Sequence, residues 1–238
     1  MEKISNRILL KLSGEVLKGD LDQGISSEVC RTLAIAVKSI VDSGYQLGIV
    51  IGGGNFFRGG EAAAAGMPRT PADHMGMLAT IMNGISLKHH FEQAGCKTHV
   101  MSGLECPKAV ENYIWRNAME SLDRGEVVIF VGGTGSPYFT TDTAAALRAS
   151  EIQANMLLKA TKVDGIYSKD PMKHSDAKRY DKVSYDQVLE ENLKIMDATA
   201  FALCRSNEIP ILIFKMDYLL AGKPVDVKEL GQLGSLVH

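Results

Sequence analysis

The sequence predicts an α/β fold, a three-layer αβα sandwich around a largely parallel, twisted sheet. Two observations carry that expectation. The apolar runs at 7–12, 47–51, 127–131, 155–160 and 210–214 are nearly continuous, as in strands buried on both faces. Between them lie segments of helical period with recognisable starts and stops, so strand and helix alternate along the chain. A length of 238 residues suits one large domain or two intimate lobes. There is no internal repeat and no flexible linker; a soft boundary falls between 144 and 155.

Taken in order, 7–12 is the first strand. Ser26 or Ser27 caps a helix whose apolar face is Val29, Leu33, Ala36, Val37, Ile40 and Val41, with Gly44 placed to end it. The strand 47–51 completes a βαβ unit, whose strands should be parallel. Residues 61–69 read as a short helix or a mobile segment. Thr70 as cap and Pro71 at the first helical position open a long helix ending at Gly95. Met75, Leu78, Ala79, Met82, Ile85 and Phe91 continue that helix. His89 and His90 point two ways on it, as a solvated face would. A weaker strand at 97–101 follows. Pro107 opens a helix with Val110, Tyr113, Ile114, Ala118 and Leu122 inward and Gly125 as its stop. After the strand 127–131, Thr140, Thr141 and Asp142 offer caps for a helix through Ala149. Asp164-Gly165 and Asp170-Pro171 read as turns. Ser184 caps a helix through Glu191, Asp197 precedes one over 198–206, and 235–237 forms a last short strand.

Three strands run directly into unusual segments. The run 47–51 enters Gly52-Gly53-Gly54, with Arg58 beyond; 127–131 enters Gly132-Gly133-Thr134-Gly135; 7–12 carries Lys11 and enters Ser13-Gly14. Glycines permit positive φ and close approach of a ligand to the main chain, and clustered N–H groups attract anions. Each stretch alone reads equally as a tight strand-to-helix turn with a surface cation. Together, at the carboxyl ends of parallel strands where α/β ligands bind, they point to nucleotide phosphates.

Composition narrows the field. Hydrophobic residues make up 45% and charged residues 23%, with 26 Lys plus Arg against 28 Asp plus Glu, a net charge of −2. That balance disfavours a nucleic-acid partner. No apolar run approaches a membrane span. The N-terminal residues show no signal-peptide pattern, and Cys30, Cys96, Cys106 and Cys204 form no pair motif, so a reducing cytoplasmic setting is expected. No histidine pair has zinc spacing, and no metal ligand set is expected. A P-loop, a dinucleotide fingerprint and a Gly-x-Ser-x-Gly elbow are all missing. Glycine loops with isolated cations suit phosphoryl transfer, where positioning and charge neutralisation do most of the catalysis.

The residues also resemble a known family. Leu10-Lys11-Leu12-Ser13-Gly14, Gly52-Gly53-Gly54-Asn55-Phe56-Phe57-Arg58-Gly59, Asp73-His74-Met75-Gly76-Met77, Gly133-Thr134-Gly135-Ser136-Pro137-Tyr138-Phe139-Thr140-Thr141-Asp142, Lys159-Ala160-Thr161-Lys162-Val163-Asp164-Gly165-Ile166-Tyr167 and Met196-Asp197 are similar to the amino-acid kinase superfamily, and within it to bacterial uridylate kinases. The likeness covers nearly the whole chain. It departs at Ser136 and Tyr138, where close relatives often carry Asn and Phe; both changes roughly keep size and polarity.

The resemblance implies one amino-acid kinase domain over 1–238, with an acceptor lobe over roughly 1–150 and an ATP lobe over roughly 151–238. It implies transfer of a phosphoryl group from ATP to UMP with Mg²⁺, a step of de novo pyrimidine nucleotide synthesis. Lys11, Arg58 and Asp197 are the implied catalytic residues. ATP is implied to meet Lys11, Leu12, Ser13, Gly14, Gly54, Arg58, Thr161, Tyr167 and Asp170. UMP is implied to meet Gly53, Asp73, Thr134, Gly135, Ser136, Pro137, Tyr138, Phe139, Thr140 and Thr141. Gly19, Asp20, Leu21, Asp22, Gln23 and Gly24 match a stretch tied to GTP activation. A homohexamer with GTP and UTP as effectors is implied too, although Glu92 and Glu126 stand where activated relatives can carry basic residues. From position alone, Asp73 reads as a helix-start acid, Asp197 as a cap, and Thr161, Tyr167 and Asp170 as a turn and its neighbours. The competing readings are a relative acting on a small carboxylate such as acetylglutamate, for which no carboxylate clamp is visible, and a non-catalytic nucleotide sensor or storage protein.

Overall fold

The computed structural model describes residues 6–57 and 66–238. The short helix or mobile segment expected over 61–69 therefore lies mostly outside the described residues, as does Arg58.

A nine-stranded sheet runs through the middle. Its strands are β1 (Arg7–Leu12), β2 (Gln46–Ile51), β3 (Thr98–Ser102), β4 (Glu111–Asn112), β5 (Val127–Val131), β6 (Met156–Thr161), β9 (Lys182–Val183), β10 (Ile211–Lys215) and β11 (Ser235–Val237). The order is β4-β3-β5-β2-β1-β6-β10-β11-β9. Every pairing is parallel except β10 with β11. A separate antiparallel ribbon joins β7 (Ile166–Tyr167) to β8 (Arg179–Tyr180).

Successive strand residues face opposite layers, so the continuous apolar runs build two cores. Leu10, Leu12, Ile49, Ile51 and Ile129 face one, packed under α1 (Ser27–Asp42), α2 (Arg69–Gln93) and α7 (Val227–Leu233). Leu9, Val50, Val128, Phe130 and Leu157 face the other, under α3 (Trp115–Asp123), α4 (Thr141–Glu151), α5 (Tyr185–Glu190) and α6 (Ala198–Ser206). That is the expected three-layer sandwich.

Start and stop signals hold at most helices. Ser26 accepts from the Val29 N–H, Thr140 from Asp142 and Thr143, Ser184 from Gln187, and Asp197 from Ala200. Gly44, Gly95 and Gly125 follow their helices with φ of 86°, 85° and 75°. At α2 the first helical residue is Arg69, with Pro68 in the cap position.

Three expectations fail, the first being Thr70 as cap and Pro71 as first helical residue of α2: Pro68, with an extended ψ of 139°, takes the cap and the helix starts two residues earlier. Met75, Leu78, Met82 and Ile85 of α2 are 43–51% exposed, while Ala72, Ala79, Gly84, Leu87 and Phe91 are buried. Close packing on β5 selects small residues: a Cβ at Gly84 would lie 2.5 Å from Val131 Cγ1. The larger apolar residues form a second, outward stripe. His90 is buried and its Nδ1 meets the Ser86 carbonyl, so only His89 of that pair is solvated. The helix expected from Pro107 begins at Trp115 instead, because 111–112 add strand β4 to the sheet edge; Val110 is buried ahead of the helix and Ile114 is 52% exposed.

Glu126, just before β5, carries a network at that edge. It accepts from Arg124 (2.8 Å), Lys97 (2.5 Å) and His99 (3.0 Å). The Arg124 hydrogen bond, against some desolvation and with help from Lys97, holds its carboxyl down to about 2. A folded-state value below the usual 4.5 adds stability above that pH, which is lost as pH falls toward 2. Its cationic partners are largely exposed, so the expected contribution is about 1 kcal/mol. Urea midpoints should fall between pH 5 and pH 2, and Glu126→Gln should remove part of that slope.

Candidate active site

β1 is the point where the sheet runs outward in both directions, to β2 on one side and β6 on the other. Such switch points place a crevice beyond the carboxyl ends of the strands. Leu12 stands beside Ile51, and Lys11 beside both Val50 and Lys159 in register. Lys11 and Lys159 occupy neighbouring strand positions on the sheet face covered by α4.

Asp142, in the first turn of α4, stands over both. Its Oδ1 lies 2.8 Å from Lys11 Nζ and its Oδ2 2.7 Å from Lys159 Nζ. Lys159 also donates to the Ile195 carbonyl at 2.6 Å. Burial pushes the Asp142 carboxyl up, but the two ammonium groups outweigh it and its pKa lies below the usual value. Burial lowers the Lys159 pKa, with repulsion from Lys11 adding to the effect and Asp142 opposing it. Among the described residues, Asp142 Oδ1 has no well-directed hydrogen bond. Lys11 is held there by the 2.8 Å ion pair. Two cations share one carboxylate in a covered site, an arrangement that favours an incoming anion.

Asp197 stands behind this group. It caps α6 through the Ala200 N–H (3.0 Å) and accepts from Thr140 (2.5 Å) and Thr143 (3.0 and 3.1 Å). It thereby ties α6 to the first turn of α4, which carries Asp142.

The glycine segments differ from expectation in how they work. Gly52, Gly53 and Gly54 do not adopt positive φ. They are needed for space: a Cβ at Gly53 would lie 2.6 Å from the Gly76 carbonyl, and one at Gly14 would strike the Gly52 carbonyl. Gly132, Gly133 and Gly135 do have positive φ, at 71°, 58° and 87°. They turn the chain into the loop Thr134, Gly135, Ser136, Pro137, Tyr138, Phe139, which reaches Thr140 and Thr141 at the start of α4. Thr134 accepts from the Ser136 N–H and donates to the Ser136 carbonyl. Tyr138 and Phe139 are 66% and 47% exposed. Asp73 meets this loop, accepting from the Tyr138 N–H at 2.7 Å.

On the other side of Lys159 lies a cavity of about 680 Å³. Lys159, Thr161, Tyr167 and Asp170 all line it. Thr161 is knotted to Val163, and Tyr167 donates to Asp164 at 2.7 Å. Asp170 accepts from the Met172 N–H at 3.0 Å. Leu12 is buried in β1, Ser13 precedes a short 3₁₀ turn (Gly14–Lys18), and Gly54 lies against Glu15. The 19–24 loop joins the glycine segment through Gly24, whose N–H meets the Asn55 carbonyl (3.0 Å) and whose carbonyl accepts from Asn55 Nδ2 (2.8 Å).

Two residues of the central group, Asp142 and Lys159, are not among the site residues expected from the sequence. Lys159 could have been: a lysine inside the apolar run Met156-Leu157-Leu158-Lys159-Ala160 is rare without a buried partner.

Comparison with known proteins gives the family. The amino acid kinase family model matches residues 6–215. A uridylate kinase of Protochlamydia amoebophila is 59% identical over 94% of this chain and 89% of its own length. One from Xanthomonas campestris is 50% identical over 98% of this chain and 96% of its own. A crystal structure of UMP kinase from Ureaplasma parvum superposes with a TM-score of 0.91 at 38% identity, covering 99% of both chains. The chain belongs to the amino acid kinase family, as one of its bacterial uridylate kinases.

Proposed function

We propose that this chain moves the terminal phosphoryl group of ATP to UMP, yielding ADP and UDP, across the Lys11–Asp142–Lys159 group. One observation carries the assignment of the centre. The covered cation pair has the 134–141 loop beside it on α4 and the 680 Å³ cavity beside it on β6.

In this reading the bond between the γ-phosphorus and the ADP oxygen breaks as a UMP phosphate oxygen bonds to phosphorus. That oxygen is already ionised, so no general base is needed. Charge spreads over the transferring oxygens, and Lys11 and Lys159 neutralise it. Gly53, Gly54 and Arg58 meet phosphates. Leu12, Ser13, Gly14, Thr161, Tyr167 and Asp170 hold ATP, with the Tyr167 ring offered to adenine. Asp73 accepts from a ribose hydroxyl, and Thr134, Gly135, Ser136, Pro137, Tyr138, Phe139, Thr140 and Thr141 enclose the uracil and ribose. Asp197 acts by fixing Asp142. The acceptor lobe is then 1–150 and the ATP lobe 151–238.

Mg²⁺ is the proposed metal. Among the described residues no cluster of three or more His, Cys, Asp or Glu side chains could hold an ion, and Asp142 and Asp197 are already engaged. Those residues fit a cation that arrives with the ATP phosphates, its remaining positions filled by water. Assays of ATP against UMP, CMP, dTMP and acetylglutamate test the reading. UMP should be turned over well above the others; preferred turnover of acetylglutamate, or no turnover, would overturn it.

We also propose a cytoplasmic homohexamer. Among the described residues no helix is long and apolar enough to cross a membrane. Met75, Leu78, Met82 and Ile85 form an exposed apolar stripe along α2, and a second copy turned by a two-fold axis would cover it with the same stripe. Light scattering should give six times the 25.8 kDa chain mass, and Leu78→Asp should yield smaller species. A wild-type monomer would overturn the proposal.

UTP is proposed to inhibit by occupying the UMP site, and GTP to act weakly. The Lys88 ammonium is taken up by Glu92 and the Thr98 carbonyl, both at 2.5 Å, and the Glu126 carboxylate is taken up by Arg124, Lys97 and His99. The wiring of the 19–24 loop to Asn55 is the proposed route for what GTP effect remains.

A further inference from the structure

Arg69 is the first residue of α2 and lies beside the acceptor loop. Its Nε donates to both oxygens of Asp73, each at 2.8 Å. Its guanidinium carbon stands 5.6 Å from the centre of the Tyr138 ring. The same Asp73 carboxylate takes the Tyr138 N–H at 2.7 Å. Arg69, Asp73 and Tyr138 thus form a closed unit joining the start of α2 to the 134–139 loop.

An ordinary helix-stabilising pair would be built differently. A cation at a helix N-terminus opposes the helix dipole, and an acid preceding a base at i,i+4 is the more favourable order. Here the base comes first and at the unfavourable end. Tyr138 has φ of 73° and a 66% exposed side chain, so no core packing offsets its backbone strain. Strain held by a charged pair on a ligand-facing loop points to function.

The carboxylate oxygens show what the unit does. Oδ2 accepts from Tyr138 and shares the Arg69 proton, while Oδ1 has only its share of that proton among the contacts above. A carboxylate oxygen accepts about two hydrogen bonds, so Oδ1 keeps a direction for a hydroxyl. We infer that Arg69 is a positioning residue for the acceptor nucleotide, holding Asp73 and the Tyr138 backbone so that Asp73 receives a ribose hydroxyl. The inference rests on the acceptor role proposed for Asp73.

The test is steady-state kinetics of the full chain with UMP, 2′-deoxy-UMP and 3′-deoxy-UMP, in Arg69→Ala, Arg69→Lys, Asp73→Asn and the double variant Arg69→Ala with Asp73→Asn. Loss of a hydrogen bond to a charged group costs about tenfold or more in affinity. Arg69→Ala should raise KM for UMP about tenfold, with kcat and KM for ATP within about twofold of wild type. Its preference for UMP over the deoxy analogues should shrink toward that of Asp73→Asn. Arg69→Lys should recover part of the loss, and the double variant should be no worse than Asp73→Asn alone. If Asp73→Asn erases the hydroxyl preference while Arg69→Ala leaves it at wild type, the positioning role is overturned and the acceptor role of Asp73 stands. If Asp73→Asn changes neither KM nor preference, the acceptor role falls and this inference with it.

Discussion

UMP is expected to be used at least about 10⁴-fold more efficiently than CMP, measured as kcat/KM. Uracil presents an N–H donor at N3 and a carbonyl at C4; cytosine presents an acceptor and an amino group there. Discrimination of this size needs a site that cannot rearrange to suit either pattern. The 133–139 loop has that character. Gly132, Gly133 and Gly135 hold left-handed geometry, and a Cβ at Gly135 would lie 2.7 Å from the Gly103 carbonyl. Thr134 closes on Ser136, and Asp73 fixes Tyr138 from the helix side. A fixed loop leaves a mismatched base with unpaired polar groups, and their desolvation is not recovered. Comparable efficiency with CMP would mean that the loop adapts to either base, and the uracil assignment of Thr134–Thr141 would fall while the phosphoryl-transfer centre could stand.

Lys11→Ala is expected to lower kcat by about 10²–10³, the usual cost of removing one preorganised group aimed at developing charge. UMP and ATP affinities should change far less. The geometry explains the asymmetry. Lys11 is held by Asp142 at 2.8 Å and flanked by Lys159 in register. Deleting it leaves one carboxylate facing one ammonium, so the excess positive charge vanishes at the proposed centre of transfer. Fold stability should survive, since Asp142 keeps Lys159 at 2.7 Å as a partner. Removing Asp142 instead would leave two like charges covered together and confuse stability with catalysis.

The sheet and its helices were legible because both signals are local. Buried parallel strands show as continuous apolar runs, and Ser26, Ser184 and Asp197 announce their helices by bonding to N–H groups nearby in sequence. The packed side of α2 was not legible, because apolar character does not say which side is buried. Its packed face is set by the room beside β5, which admits Gly84 and Ala79 and turns Leu78 and Met82 outward. The two-residue strand β4 had too little pattern to register and took the start of the expected helix with it. At the site, Lys11 and the glycine segments could be read because each sits where a strand ends. Their physics could not: Gly52–Gly54 serve close approach and not positive φ, which depends on Gly14 and Gly76 arriving from elsewhere in the chain. Asp142 read only as a candidate helix cap, because its pairing with Lys11 and Lys159 exists only once α4 lies across β1 and β6.

The Lys11–Asp142–Lys159 group is proposed to perform the chemical step. The most direct measurement is the single-turnover rate of UDP formation in Lys11→Ala, with ATP and UMP bound at saturation so that product release does not intervene. A rate about 10²–10³ below wild type with both nucleotides still bound is the expected result. A rate within a few-fold of wild type would contradict it and leave Lys11 a structural ion pair.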